Sequence, residues 1–511
     1  MAYTVYAAID VGSNDVSMKI YQISASSGIK QIDYVSQYLA LGRDTYRCGK
    51  IGYDLVEELC LVLLRFKNKM KEYKVKEYWA YASSAIREAA NREVILDQIK
   101  LRTGIDVKVV SNSERHYLMY KGIASHTADF NNVIQKNTAI LDMGAGSVQI
   151  SIFDKQALAV TQNLRIGALR IKGLLEREED RIIGFQDMLM EYIGNELDTF
   201  ENFHMKDKSI KNIIAVGDEI QAMIKVVPEL GITDSIDSEQ MEFIYQRIST
   251  MQPQQMSMQY GIPLELASIL LPAVVVYKIF LDGAKAEWIW TPKIDFCDSM
   301  AADYADTKKK VPLSHDFQED ILSMARNIAK RYHCNRTHIN DVLVIAMEIF
   351  DRMRKIHGLD KRERLLLQIA VILHDCGKYI NMNAGGSDAY NIIMATEIIG
   401  LSHKERELVA NIVKYNTVWL PSYAMLNQSM SRDDYIVISK LTAILRVANA
   451  LDRSHKQKIK NIKASLKDKT LLIMTDAIAD ISLERALFTA KADFFEEVYG
   501  IRPVIKQRRT F

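Results

Sequence analysis

Two stretches of the chain carry one pattern, and it constrains the fold more than any other feature. "YTVYAAID-VGSND-VSMKIYQI" (3–23) and "NTAILD-MGAGS-VQISIFD" (137–154) each run a β-branched strand into an aspartate, turn on Gly and Ser, and leave on an alternating strand. In the outgoing strands Val16, Met18 and Ile20 share one face, as do Val148, Ile150 and Ile152, the period of two of half-buried strands. The copies lie about 130 positions apart, a weak internal repeat that implies two homologous α/β halves facing each other.

Between the copies, a helix near 52–72, a strand at 77–83, a helix through "SAIREAANREVILDQIKLRTG" closing at Gly104 and the strand "DVKVVS" predict βαβ units and a mainly parallel sheet. Beyond 155, "RIIGFQDMLMEYIGNELDTFENF" reads as a helix, "NIIAVG" as a buried strand and "LELASILLPAVVVYKIFLDGA" as another helix. "DTKKKVPLSHD" (306–316) then breaks the pattern with a Lys run and Pro312, marking a domain boundary. From 317 to about 464 the period is helical, after which "SLKDKTLLIMTD" and "IRPVIKQRR" read as strands around the helix "DISLERALFTAKADFFEEVYG". The expected fold class is α/β, with lobes over 1–125 and 126–305, an all-α domain over 306–464 and a small α/β unit over 465–511.

A chain of 511 residues exceeds what one core supports, and 48% hydrophobic with 25% charged residues is ordinary for a globular protein. The net charge of +2 gives no global field, so neither nucleic acid nor membrane is an expected partner and any anion site must come from local clustering. Cys48, Cys60, Cys297, Cys334 and Cys376 are scattered, odd in number and without a CxxC pair, which predicts reduced thiols and a cytoplasmic protein. "MAYTVYAAIDVGSND" has no basic n-region, so no signal peptide is expected, and "ASILLPAVVVYKIFL" (267–281) is too short to span a bilayer.

Short Gly- and Ser-rich turns let backbone N–H groups converge on an anion, because Gly offers no Cβ and tolerates positive φ. Gly12, Ser13 and Asn14 in the first turn, and Gly144, Ala145, Gly146 and Ser147 in the second, are the candidate phosphate cradle. Asp10 and Asp142, just before the turns, are candidate Mg²⁺ ligands, directly or through water. Either turn alone is a common hairpin; their duplication favours the functional reading.

"AAIDVGSND" resembles the first phosphate motif of the Ppx/GppA phosphatases, and "LDMGAGSVQ" resembles their second, D-x-G-G-G-S-x-E. The resemblance continues through 80–123, "LRIGALRI" (164–171), "LVIAMEIFDRM…VILHDCGKYI" and "ILRVANALDRSH" (445–455), so it covers essentially the whole chain. It implies an actin-like pair of ribonuclease-H-like domains with phosphate bound in the cleft between them, an HD-like helical domain, Mg²⁺ as cofactor and a homodimer. The implied activity removes terminal phosphate from inorganic polyphosphate or guanosine pentaphosphate. Arg87 falls where the family has a phosphate-contacting Arg; the alternative is a helix-surface Arg paired with Glu88 or a distant carboxylate.

The chain also departs from that pattern. The family's base is the second Glu of an E-E-A-R-like segment, but "SNSERHYLMYKG" places Glu114 at the first position and Arg115 at the second, and a guanidinium accepts no proton. Glu114 remains a candidate substitute base, although neighbours on an ordered element point in different directions. Gln149 replaces the second motif's Glu and can orient water without deprotonating it. Ala145 replaces the middle Gly, which would restrict positive φ and loosen the turn, and "AVGDEIQAM" sets Asp218 and Glu219 where a G-G-T turn is typical. The two readings that follow are a slow, altered hydrolase and a regulatory protein that binds polyphosphate or guanosine tetra- or pentaphosphate without turnover. An actin-like kinase is disfavoured by the missing nucleotide turn.

In the helical domain, His338 and the His374–Asp375 pair fit the start of an H…HD…D metal pattern, but Asn449 stands where the last acid is expected and Asp452 lies three residues on. The competing reading is a buried His–Asp pair that ties helices together. Lys456, Lys458, Lys460 and Lys463 read either as a polyphosphate channel or as a solvated helix face.

Overall fold

The computed structural model describes residues 3–127, 130–175, 185–205, 209–308, 310–383, 385–477 and 479–507. Both copies of the repeat form hairpins of one register. β1 (Thr4–Val11) and β2 (Asp15–Ser24) pair antiparallel with Val11 opposite Val16 and Asp10 opposite Ser17. Farther along, β6 (Thr138–Met143) and β7 (Val148–Asp154) pair with Met143 opposite Val148 and Asp142 opposite Gln149. Four residues therefore separate the last paired positions in each turn, and Gly12, Ser13, Asn14 and Asp15 correspond to Gly144, Ala145, Gly146 and Ser147.

Each hairpin grows into a sheet. β3 (Gly28–Tyr38), β4 (Glu77–Ala82) and β5 (Lys108–Val109) complete the order β3-β2-β1-β4-β5; β8 (Ala157–Leu164), β9 (Asn212–Val216), β10 (Ser235–Asp237) and β11 (Trp288–Trp290) complete β10-β11-β9-β6-β7-β8. The sheets are mixed rather than mainly parallel. Tight turns link β1-β2-β3 and β6-β7-β8 and force antiparallel pairing, while parallel pairs occur where helices cross over, as at β1·β4 and β6·β9.

Every sheet has its own core, one including Ile9, Val16, Met18, Leu59 and Phe66, the other Leu141, Ile150, Ile152, Ile193 and Val275. The helix Tyr53–Glu72 follows its apolar period, burying Val56, Leu59, Leu63, Phe66 and Met70. The expected single helix from Ser84 to Gly104 is two, Ser84–Glu88 and Arg92–Thr103, closed by Gly104 at φ 73°. Asn91 lies at the break, where its amide holds the backbone of Ile51 at 3.2 and 2.9 Å. Likewise the expected helix over 264–284 divides into Leu264–Ala267 and Leu270–Ala284. The helix Phe185–His204 is present; positions 181–184 of its expected start lie outside the described residues.

These two sheets share one compact unit, Met1–Asp320, and Ile321–Phe511 forms another. The helix Phe296–Thr307 runs across the expected boundary at 305 and packs on β1, β2 and the helix Asn112–His126, so the chain returns to the first lobe after completing the second. The second unit packs the helices Arg336–His357, Lys361–Leu373, His403–Thr417 and Arg432–Ala450, then forms a sheet of β12 (Ile459–Lys467), β13 (Thr470–Ala477) and β14 (Arg502–Gln507) beside the helix Ser482–Tyr499. Strand structure thus begins at Ile459, and "SLKDKTLLIMTD" is a hairpin turning at Asp468 (φ 52°) rather than one strand. Lys460 and Lys463 lie on β12, not on a helix, and Lys458 pairs with Glu484 at 3.2 Å. Among the described residues no helix is long and apolar enough to cross a membrane.

Candidate functional site

Because the hairpins share a register, Asp10 and Asp142 occupy equivalent positions at the ends of β1 and β6, and both turns line one cleft. Gly12, Ser13, Asn14, Gly144, Ala145, Gly146, Ser147 and Gln149 are all there, as expected. Neither Ala145 nor Gly12, Gly144 and Gly146 adopt positive φ, which corrects the expectation that Ala145 loosens the turn: the glycines serve close approach instead. A Cβ on Gly146 would come within 2.2 Å of the Tyr46 hydroxyl, and one on Gly167 within 2.2 Å of Ser147 N.

The turns are braced from outside. Ser13 Oγ accepts from Ala85 N at 3.0 Å and from Tyr46 OH at 3.1 Å. Arg170 donates from Nε to Gly146 O and from a terminal nitrogen to Glu88, both at 2.7 Å, with its guanidinium 4.2 Å from the Tyr46 ring centroid. Arg170→Ala is expected to cost roughly 1.5–3 kcal/mol, the worth of a charge-assisted hydrogen bond. Urea unfolding checks this, and a change within error would remove Arg170 as the brace.

The helix Asn112–His126 supplies the cleft wall, with Asn112, Arg115, His116 and Met119 on one face at helical spacing. Glu114 is turned off that face: its carboxylate accepts from Ser111 N at 2.8 Å while Ser111 Oγ accepts from Glu114 N at 3.1 Å, a capping box. Arg115 instead projects inward, over the Phe296 ring at 4.2 Å and 3.5 Å from Asp10 Oδ2. Arg87 binds Val110 O at 2.9 Å and Asn112 Oδ1 at 2.5 Å and is not among the cleft-lining residues.

Sequence reasoning missed His116, whose Nδ1 lies 3.5 Å from Asp142 Oδ2 and whose Nε2 lies 2.9 Å from Ser151 Oγ. Burial works to raise Asp142, but His116 and the charge of Arg115 outweigh it and hold the carboxyl below its usual range. Gln149 is anchored by β8, donating to Thr161 at 2.8 Å and accepting from Asn163 at 2.9 Å, while Asn163 also reaches Ser147 Oγ at 3.0 Å. Its amide helps to set the second turn.

Acidic groups crowd the remaining walls: Asp15, Asp218, Glu219 and Asp295 all line the cleft. Burial and neighbouring carboxylates push Asp15 well up, Glu219 to about 8 and Asp295 to about 7. Asp10 is raised by burial despite Arg115, and its Oδ1 is buried without a hydrogen-bond donor. An orphaned carboxylate oxygen among further carboxylates suits a hard divalent cation with oxygen ligands, so Asp10 and Asp142 fit Mg²⁺.

The raised carboxyls set a pH dependence. Glu219, at about 8 against an ordinary 4.5, binds a proton in the folded state that the unfolded state has released, so its contribution to stability falls as pH rises from 4.5 to about 8. A bound cation replaces that proton, so the gain in Tm on adding Mg²⁺ should be larger at about pH 8.5 than at about pH 6. An equal gain at both, by differential scanning fluorimetry, contradicts a cation among these carboxylates.

In the second unit, the expected His338, His374 and Asp375 do meet. His338 Nε2 lies 3.2 Å from His374 Nε2, and His374 Nε2 lies 3.5 Å from Asp375 Oδ1. Asp452 contacts His338 Nδ1 at 2.8 Å, and His455, which sequence reasoning passed over, stacks on His338 with ring centroids 3.7 Å apart.

Fold and cleft together define a two-lobed α/β protein whose paired glycine turns face one acidic cavity. A profile of the Ppx/GppA phosphatase family matches residues 19–287, and one of Ppx/GppA phosphatase, domain III, matches residues 322–487. The chain belongs to the Ppx/GppA phosphatase family. It is 22% identical to a guanosine-5'-triphosphate,3'-diphosphate pyrophosphatase of Photobacterium profundum over 428 residues, 80% of each chain. It is also 22% identical to a bifunctional 3-dehydroquinate synthase/phosphatase of Fusobacterium nucleatum over 45% of this chain and 35% of that protein. The solved structure of an exopolyphosphatase from Cytophaga hutchinsonii aligns with 61% of this chain and all of its own at TM-score 0.53 and 18% identity, a likeness of fold.

Proposed function

We propose that the cleft hydrolyses a terminal phosphoanhydride slowly, with Mg²⁺, on inorganic polyphosphate or guanosine pentaphosphate. The observation that carries this reading is the matched register of the two hairpins, which brings Asp10, Asp142 and both glycine turns to one cavity. Asp10 and Asp142 would hold Mg²⁺, and the ion supplies neutralisation of phosphate charge that the surrounding carboxylates would otherwise repel. Ser147, anchored by Asn163, and the turn braced by Arg170 shape the cradle for the phosphate oxygens. Slowness follows from Arg115: the family's base position holds a guanidinium facing Asp10, and Glu114 is committed to its cap.

Phosphate release from long-chain polyphosphate and from guanosine pentaphosphate tests the reading. Slow release that requires Mg²⁺ and stops with a chelator is expected. The engagement of Glu114 and Arg115 also favours a second reading, a protein that binds these polyanions without turnover; a folded protein that releases no phosphate from either substrate decides for it.

A further inference from the structure

The cavity between the two turns is rich in carboxylates and poor in cations, and its cation stands in an unexpected place. Arg87, at the position where the family has a phosphate-contacting Arg, is turned to Val110 O at 2.9 Å and Asn112 Oδ1 at 2.5 Å and does not line the cavity. Arg170 grips Gly146 O and Glu88 from outside. Among the described residues that line the cavity, Arg115 is the only Arg or Lys. The positive charge of the cleft thus sits at the family's base position rather than at its Arg position.

Arg115 is poised for an anion. Its guanidinium lies over the Phe296 ring at 4.2 Å, and a stacked guanidinium keeps its edge donors available to partners in its own plane. Of five N–H donors, one makes a hydrogen bond among the described residues, to Asp10 Oδ2 at the long distance of 3.5 Å. The side chain is 24% exposed, and none of its nitrogens is both buried and without a partner, so the remaining donors open on the cavity. Burial is the largest influence on Asp10, Asp142 and Glu219, and the charge of Arg115 opposes it at all three, in one lobe and in the other. The guanidinium therefore stands between the two turns.

A forked donor set between two glycine turns matches a tetrahedral oxyanion. We propose that Arg115 binds the terminal phosphate and retains orthophosphate in the cleft after hydrolysis, so that the product regulates the site by occupying it. This rests on the reading of the cleft as the phosphate site. Water attack on a terminal phosphoanhydride leaves orthophosphate between the same turns, in reach of the same guanidinium. A group that holds substrate, transition state and product alike tightens binding without raising kcat. Slow turnover and a lingering product then have one cause, a clamp where a base is usual.

Calorimetric titration of the full-length protein with orthophosphate, with Mg²⁺ present throughout, tests this without turnover. Wild type should bind one orthophosphate per chain. Arg115→Gln should weaken binding about 10–100-fold, the worth of charge-assisted hydrogen bonds. Arg115→Lys keeps the charge but not the fork and should lose less, with circular dichroism reporting the fold of each variant. In the phosphate-release assay, added orthophosphate should compete with substrate in wild type, and in Arg115→Gln only at correspondingly higher concentration. Unchanged affinity in folded Arg115→Gln, no uptake by folded wild type, or a loss in Arg87→Gln with none in Arg115→Gln would overturn the proposal. The reading of the cleft fails separately, if folded Asp142→Asn binds a non-hydrolysable polyphosphate analogue as wild type does.

Discussion

Asp142→Ala is expected to reduce phosphate release about 10²–10³-fold or more, the scale set by removing one preorganised electrostatic group from an active site. Burial works to raise this carboxyl, but His116 and Arg115 hold it below the usual carboxylate range. It stands at the mouth of the second turn in the register that Asp10 has at the first. Loss of a buried partner for His116 is a separate, structural effect. Asp142→Asn resolves the two: the amide can still hydrogen-bond the imidazole, as donor or acceptor, but the charge that would hold Mg²⁺ is gone. Steady-state kinetics should give the same loss for Asn as for Ala, and full activity in Asp142→Asn would refute the assignment.

The second large effect is a gain. Arg115→Glu combined with Gln149→Glu is expected to raise turnover at least about 10²-fold, the lower end of what a positioned general base contributes. Arg115 lies on the cleft-facing stripe of its helix with Asn112, His116 and Met119, so a carboxylate there points at the cavity without any backbone change. Asp10 then loses the guanidinium beside it and gains an acidic neighbour, so the variant should need more Mg²⁺ for full activity and be less stable without it. A folded double variant that binds polyphosphate but stays inert would show that more than the missing base limits the chemistry.

What the sequence made legible is what local rules encode. Period-two strands, an Asp at a strand end and a Gly/Ser turn identify both hairpins, and counting along "SNSERHY" finds the guanidinium in place of the base. The helix also carried the answer about Glu114. Position 111 is a serine three residues ahead of a glutamate, a capping-box signal that assigns that carboxylate to the helix end. Interactions across long sequence separations were not legible. His116 matters because β6 and β7 bring Asp142 and Ser151 to it, and Arg170 because its turn packs beside Gly146 and Glu88. The break before Asn91 arises from its bond to Ile51, 40 residues earlier, which no helical period records. Ala145 was misjudged because Gly was credited with positive φ where the turn needs only room.

Equilibrium binding of a non-hydrolysable polyphosphate analogue, measured by calorimetry with Mg²⁺ on wild type and Asp142→Asn side by side, tests most directly whether the paired turns form the phosphate site. One analogue bound per chain by wild type, with binding lost in Asp142→Asn, is the predicted result. Equal affinity in a folded Asp142→Asn would contradict the account, because the anion would then be held somewhere other than this cleft.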